Sequence, residues 1–151
     1  MLRTRLNDAL KEAMRAKDQR AVSTVRLILA ALKDRDIAAR GRGVTDGIPE
    51  DEILQLLQTM VKQRREAIAL YEQGGRQELA QQEREEIGVI EGFMPRQLSE
   101  EETRAAIAAA IQDSGAAGLK DMGKVMAELR ARFAGQMDFG KASGWVREAL
   151  G

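Results

Sequence analysis

Apolar residues recur along the chain at intervals of three and four, the spacing that places them on one face of an α-helix. Leu2, Leu6, Ala9-Leu10 and Ala13-Met14 form the first such stripe and predict a helix from about Leu2 to Lys17. Asp18 then supplies an N-cap oxygen for a second helix over about Arg20 to Arg40, with Val22, Val25, Leu29 and Leu32 on its buried side and Ile28 broadening the stripe. Arg26 sits beside those positions and is expected to be partly buried against a carboxylate. The glycines of Gly41-Arg42-Gly43 end that helix, and a turn-rich loop runs to Pro49.

Pro49 followed by Glu50-Asp51-Glu52 marks a third helix start, because proline fits the first turn and carboxylates favour the positive end of the helix dipole. Ile53, Leu57, Met60-Val61, Ile68 and Tyr71 carry that helix to Gly74-Gly75. A fourth helical segment holds Leu79, Ile87, Ile90 and Met94. Gly88 and Gly92 within it suggest a close helix–helix approach or a weak spot. Pro95-Arg96-Gln97-Leu98 breaks the pattern and gives the best boundary, dividing an N-terminal helical domain of about four helices (1–95) from a C-terminal three-helix domain (96–151). Ser99 and Glu102 form a capping box for a fifth helix reaching about Asp113 with Ile107 and Ile111 inward, and Ser114–Gly118 follows as a flexible connection. Two shorter helices begin near Asp121 and Asp138, and at about 12 residues each they need tertiary packing to persist. The fold class is therefore all-α, with no internal repeat.

Composition narrows the chemistry. The 151 residues contain no His and no Cys, so a Ser-His-Asp triad, a Cys nucleophile and a His/Cys zinc site are all excluded. Disulfides are excluded as well, and no Walker-type phosphate loop is present. The run Glu83-Arg84-Glu85-Glu86 could offer carboxylates, but it reads as a solvated helix face. No apolar run approaches the roughly 20 residues that span a bilayer, so no membrane association is expected. The amphipathic N-terminus lacks a secretory core, which makes the cytoplasm the default location.

Net charge is zero, with 24 basic and 24 acidic residues, so only a local basic face could attract nucleic acid. Residues 1–50 are net positive and 51–100 net negative. The strongest local candidate spans residues 119–147, where Lys120, Lys124, Arg130, Arg132, Lys141 and Arg147 face three carboxylates. Phosphates could also use backbone donors at the helix starts near Asp121 and Asp138. Lys62, Arg64 and Arg65 form a secondary basic cluster, to be weighed against an internal ion pair plus solvated surface. Trp145 could stack on a base but fits tail packing better. Met122, Met126 and Met137 read as adaptable core, and Gly123 as a residue permitting close backbone approach at a helix start.

Two stretches carry a family resemblance. Val61-Lys62-Gln63-Arg64-Arg65-Glu66, continuing through Tyr71-Glu72-Gln73-Gly74-Gly75 to Phe93-Met94-Pro95-Arg96-Gln97-Leu98-Ser99, is similar to free-standing YqeY members. Asp121-Met122-Gly123-Lys124-Val125-Met126 resembles the G-x-V-M element in the tail of the amidotransferase B subunit. Together they resemble the GatB/YqeY family over essentially the whole chain. The resemblance implies an N-terminal helical domain plus a three-helix tail of the kind that helps hold tRNA, while amide transfer belongs to other domains and subunits. The sequence departs from the family where a basic segment precedes the last helix: a cation is replaced by Gln136, and a common Asn by Gly144.

The resulting expectation is a non-catalytic tRNA- or RNA-interacting accessory module needing no cofactor and no metal. One alternative is a protein–protein adaptor docking on an amidotransferase or aminoacyl-tRNA-related partner. Another is a carbon–nitrogen ligase using glutamine, active in complex with other subunits.

Overall fold

The computed structural model describes residues 1–151. It is all-helical: α1 (Leu2–Ala16), α2 (Gln19–Arg40), α3 (Glu50–Gln73), α4 (Gln77–Glu91), α5 (Glu100–Ser114), α6 (Met122–Phe133) and α7 (Phe139–Leu150), with a single 3-10 turn at Leu119–Asp121. The chain divides into two compact units, Met1–Met94 and Pro95–Gly151.

In the first unit, Leu6, Ile28, Leu57 and Ile90 are fully buried, one from each of α1 to α4. Aliphatic side chains build this core because the chain has only five aromatic residues (three Phe, one Tyr, one Trp). Lys17, in the left-handed region at φ 58, ends α1, and Asp18 accepts from the Ala21 amide to open α2. The corner folds α2 back along α1. On α2 the buried stripe is Thr24, Val25, Ile28 and Leu32, while Leu29 is half-buried. The helix is therefore rotated slightly from the orientation expected of its apolar residues alone.

The far end of the α1–α2 pair is closed by a polar clamp. Arg3 donates twice to Asp36, at 2.7 and 2.8 Å, and once to the Ile48 carbonyl at 3.0 Å. Asp36 also accepts from the Ile48 amide at 2.9 Å. One guanidinium and one carboxylate thus tie α1, α2 and the loop before α3. Gly47 makes room for them: at φ +90, its missing Cβ would lie 2.6 Å from Arg3 Nη2. The Arg3 hydrogen bonds hold the Asp36 carboxyl at about 2, below its ordinary 3.8, against the opposing effect of burial.

In the second unit, Ile107, Val125, Leu129, Met137, Ala142 and Val146 form a separate core among α5, α6 and α7. The predicted capping box is present, with the Ser99 amide donating to Glu102 and the Glu102 amide to Ser99 Oγ. Arg96 grips the same carboxylate with two hydrogen bonds of 2.9 and 2.8 Å. The Leu98 amide donates to the Gln136 carbonyl at 2.8 Å, and the Gln97 side chain donates to the Gly135 carbonyl. This strap pins the strand-like approach to α5 onto the α6–α7 turn, where Gly135 adopts φ 76.

Two outcomes test this account. Leu129→Ala empties part of the second core and is expected to cost about 2–5 kcal/mol, with hydrogen-exchange protection falling across residues 95–151 and not across the first core. Asp36→Asn removes a carboxylate whose folded pKa is depressed, so its stabilisation is present above the unfolded value and disappears as pH falls through the folded one. With Arg3 37% exposed, the expected loss near neutral pH is only about 1 kcal/mol. Thermal melts of variant and wild type should converge as pH falls from about 4 toward about 2.

Candidate nucleic-acid interface

The six cations of the tail lie in different environments. Arg132 is neutralised, pairing with Glu128 at 2.6 Å and Asp113 at 3.3 Å. Lys124 donates from Nζ to the Ser114 carbonyl at 2.9 Å, near the negative end of α5. Arg130 lies over the Phe139 ring, 5.6 Å from its centroid. Lys120, Lys141 and Arg147 are exposed, and their side chains form no ion pair. The tail therefore offers five cations not tied to a carboxylate.

The flanking features behave mostly as packing. Trp145 is half-buried, and Arg104 covers its ring at 4.6 Å while also reaching Glu100 and Glu148. Met126 and Met137 are buried in the tail core, with Met122 packed against it. Asp138 uses the Lys141 amide for its own cap, so that donor is occupied. Asp121 instead turns back to accept from the Ala117 amide.

Three expectations are corrected. A Cβ at Gly123 would meet nothing within 4 Å, so this glycine permits no close backbone approach; the same holds at Gly88. Arg26 is exposed and forms no ion pair, because its side of α2 faces outward. The acidic run Glu83–Glu86 is not a solvated face: Glu86 is buried and Glu83 is half-buried.

The inward-facing arginine is Arg64, which is half-buried. Its Nε donates to Glu86 at 3.0 Å and lies 3.9 Å from Glu83, while Arg20 of α2 approaches Glu86 at 3.9 Å. The secondary basic cluster is thereby dispersed: Arg64 is internal, Arg65 pairs with Glu91 at 3.3 Å, and only Lys62 stands exposed and unpaired. Burial, and then the charge of Glu86, push the Glu83 carboxyl above its ordinary value. A sequence signal for this node existed. Arg64 falls in the buried register of α3, four after Met60 and four before Ile68, and Glu83 lies four before Ile87.

The Asp and Glu residues nowhere gather into a group that could hold a metal ion. No helix is long and apolar enough to cross a membrane.

A family model described as YqeY-like protein matches residues 3–150. The chain belongs to the YqeY-like family. It is 34% identical over 89 residues to the Altered inheritance of mitochondria protein 41 of Eremothecium gossypii, a match covering 59% of this chain and 46% of that protein. The proteins of the same name from Kluyveromyces lactis and Lachancea thermotolerans are 28% and 29% identical over 58% and 59% of this chain, covering 45% and 46% of their own lengths. The matches thus span less than half the length of these curated relatives. All three are named as mitochondrial proteins, which overturns the cytoplasmic expectation. That expectation rested on the lack of an apolar signal, a property that bears on secretion and membrane insertion and not on the choice between these compartments.

Removing Glu86 takes the nearest carboxylate from half-buried Arg64 and leaves it the Met60 carbonyl and the more distant Glu83. Glu86→Ala is expected to destabilise by about 1–3 kcal/mol, and the double change Arg64→Met/Glu86→Leu by less. Denaturant titration of the three proteins gives the comparison, and equal losses in single and double variants would contradict it.

Proposed function

We propose that this YqeY-like chain is a non-catalytic RNA-binding accessory of the tRNA-dependent amidotransferase type, with tRNA as the RNA class and the tail unit as its contact. The carrying observation is the set of exposed tail cations free of carboxylates, above all Lys120, Lys141 and Arg147. Such side chains can release phosphate counterions without first breaking an ion pair. Arg132 would have to surrender Glu128 and Asp113, so it plays no part.

Lys124 and Arg130 of α6 are exposed as well. The resemblance of Gly123-Lys124-Val125-Met126 to the amidotransferase tail, which helps hold tRNA, points to the same ligand. The absence of imidazole and thiol favours holding over transforming. Contact is to phosphate and to RNA shape: Trp145 is covered by Arg104, so it does not serve as a stacking platform.

Filter binding of unmodified tRNA at low and moderate salt tests this reading. The combined change Lys120→Glu, Lys141→Glu and Arg147→Glu should weaken binding at least about tenfold and flatten the salt dependence by roughly 0.7–0.9 per lost phosphate contact. Lys62→Glu should have little effect. Unchanged tRNA affinity in the triple variant would refute the assignment.

A further inference from the structure

The helical hairpin α1–α2 carries a groove on its outer side. Two clefts lie between the helices, of about 270 Å³ toward one end and about 520 Å³ toward the corner. On α1 the wall is set by Arg3, Asn7, Met14 and Lys17, with half-buried Leu10 completing a series at alternating intervals of four and three. On α2 the matching series is Val22, Arg26, Leu29, Lys33, Ile37 and Arg40. Residues at these intervals share one face of each helix.

Aliphatic side chains stand among the polar ones: Leu29, Leu32 and Ile37 in one cleft, Met14 and Val22 in the other. Met14 is 52% exposed and Ile37 51% exposed, more than the other apolar residues that line the clefts. The rim is cationic. Five cations line the two clefts against one carboxylate, Asp36, which Arg3 already engages. Lys17, Arg26 and Lys33 form no ion pair. Arg26, Lys33 and Arg40 recur every seven residues, about 10.5 Å apart along the helix.

We infer that the α1–α2 groove is a docking site for an acidic amphipathic helix of a partner protein. Such a helix would place an aliphatic seam on Met14, Leu29 and Ile37, and carboxylates one heptad apart against Arg26, Lys33 and Arg40. Charge complementarity selects its sign. The two-helix wall, about 22 Å long for α1, sets its length at roughly four turns. RNA fits less well, because Leu29, Leu32 and Ile37 of one cleft and Met14 and Val22 of the other give a phosphate no partner. The site is separate from the tail cations assigned to RNA.

The probe is a fluorescein-labelled peptide of about four helical turns, with Leu at the seam positions and Glu flanking them, titrated into the full chain at low salt. Saturable binding is expected, with amide chemical-shift changes concentrated in residues 3–17 and 19–40. Arg26→Glu/Lys33→Glu/Arg40→Glu should weaken it about tenfold or more, and so should Met14→Asp. These positions are exposed, and circular dichroism of each variant should show the wild-type helix content. Lys120→Glu/Lys141→Glu/Arg147→Glu should leave peptide affinity unchanged, which separates this result from the tRNA experiment. The inference is overturned if the peptide does not bind, or if a scrambled peptide of equal composition binds as well. It is overturned equally if single-stranded RNA displaces the peptide more effectively than unlabelled peptide does, or if sedimentation shows a second copy of the chain filling the groove.

Discussion

Across the N-terminal unit, a half-buried charge ties three helices together. Arg64 stands in the inward register of α3, where a lone guanidinium would be far costlier than any aliphatic residue. Glu86 and Glu83 of α4 answer it, and Arg20 brings in α2. Ion pairing is directional where aliphatic packing is not, so this contact fixes which turn of α4 meets which turn of α3. A core of Leu, Ile, Val and Met could tolerate a slip between helices. An Arg–Glu pair at this seam would be broken by it.

The same logic explains the charge economy of the chain. Zero net charge conceals a sorting of cations into two kinds. Arg3, Arg64, Arg65 and Arg132 are joined to carboxylates and serve architecture. Lys120, Lys141 and Arg147 in the tail, and Lys17, Arg26 and Lys33 along the α1–α2 groove, are not. Arginine dominates the structural set because its planar fork can hold a carboxylate by two bonds, as Arg3 holds Asp36 and Arg96 holds Glu102. A summed charge carries none of this information.

Much of the fold was legible in the sequence, because helix starts and stops are local chemistry. Asp18, Pro49, Ser99 with Glu102 and Asp138 all stand at helix starts, and Gly74 and Gly115 at helix ends. What could not be read locally was helix rotation. Arg26 lies beside Val25 and Leu27, yet tertiary contacts turn it outward. Gly123 shows the converse error: a small residue suggested a close neighbour, and the structure has open space there. The clamp of Arg3, Asp36 and Ile48 joins residues up to 45 positions apart, beyond any local pattern. Among the tail cations, residue type identified all six, but only the fold distinguishes Arg132, bound to two carboxylates, from Lys120 and Arg147.

The strap at the head of the tail bears on its modularity. Arg96 anchors the α5 cap, Gln97 reaches the Gly135 carbonyl, and Leu98 bonds to Gln136. These residues precede the first helix of the unit, so a boundary drawn at the helix start would discard them. A transplantable copy of the tail has to begin no later than Pro95. Cut at Ser99, the fragment would keep all three helices but lose the tie that locks its entry segment to the hinge between the last two.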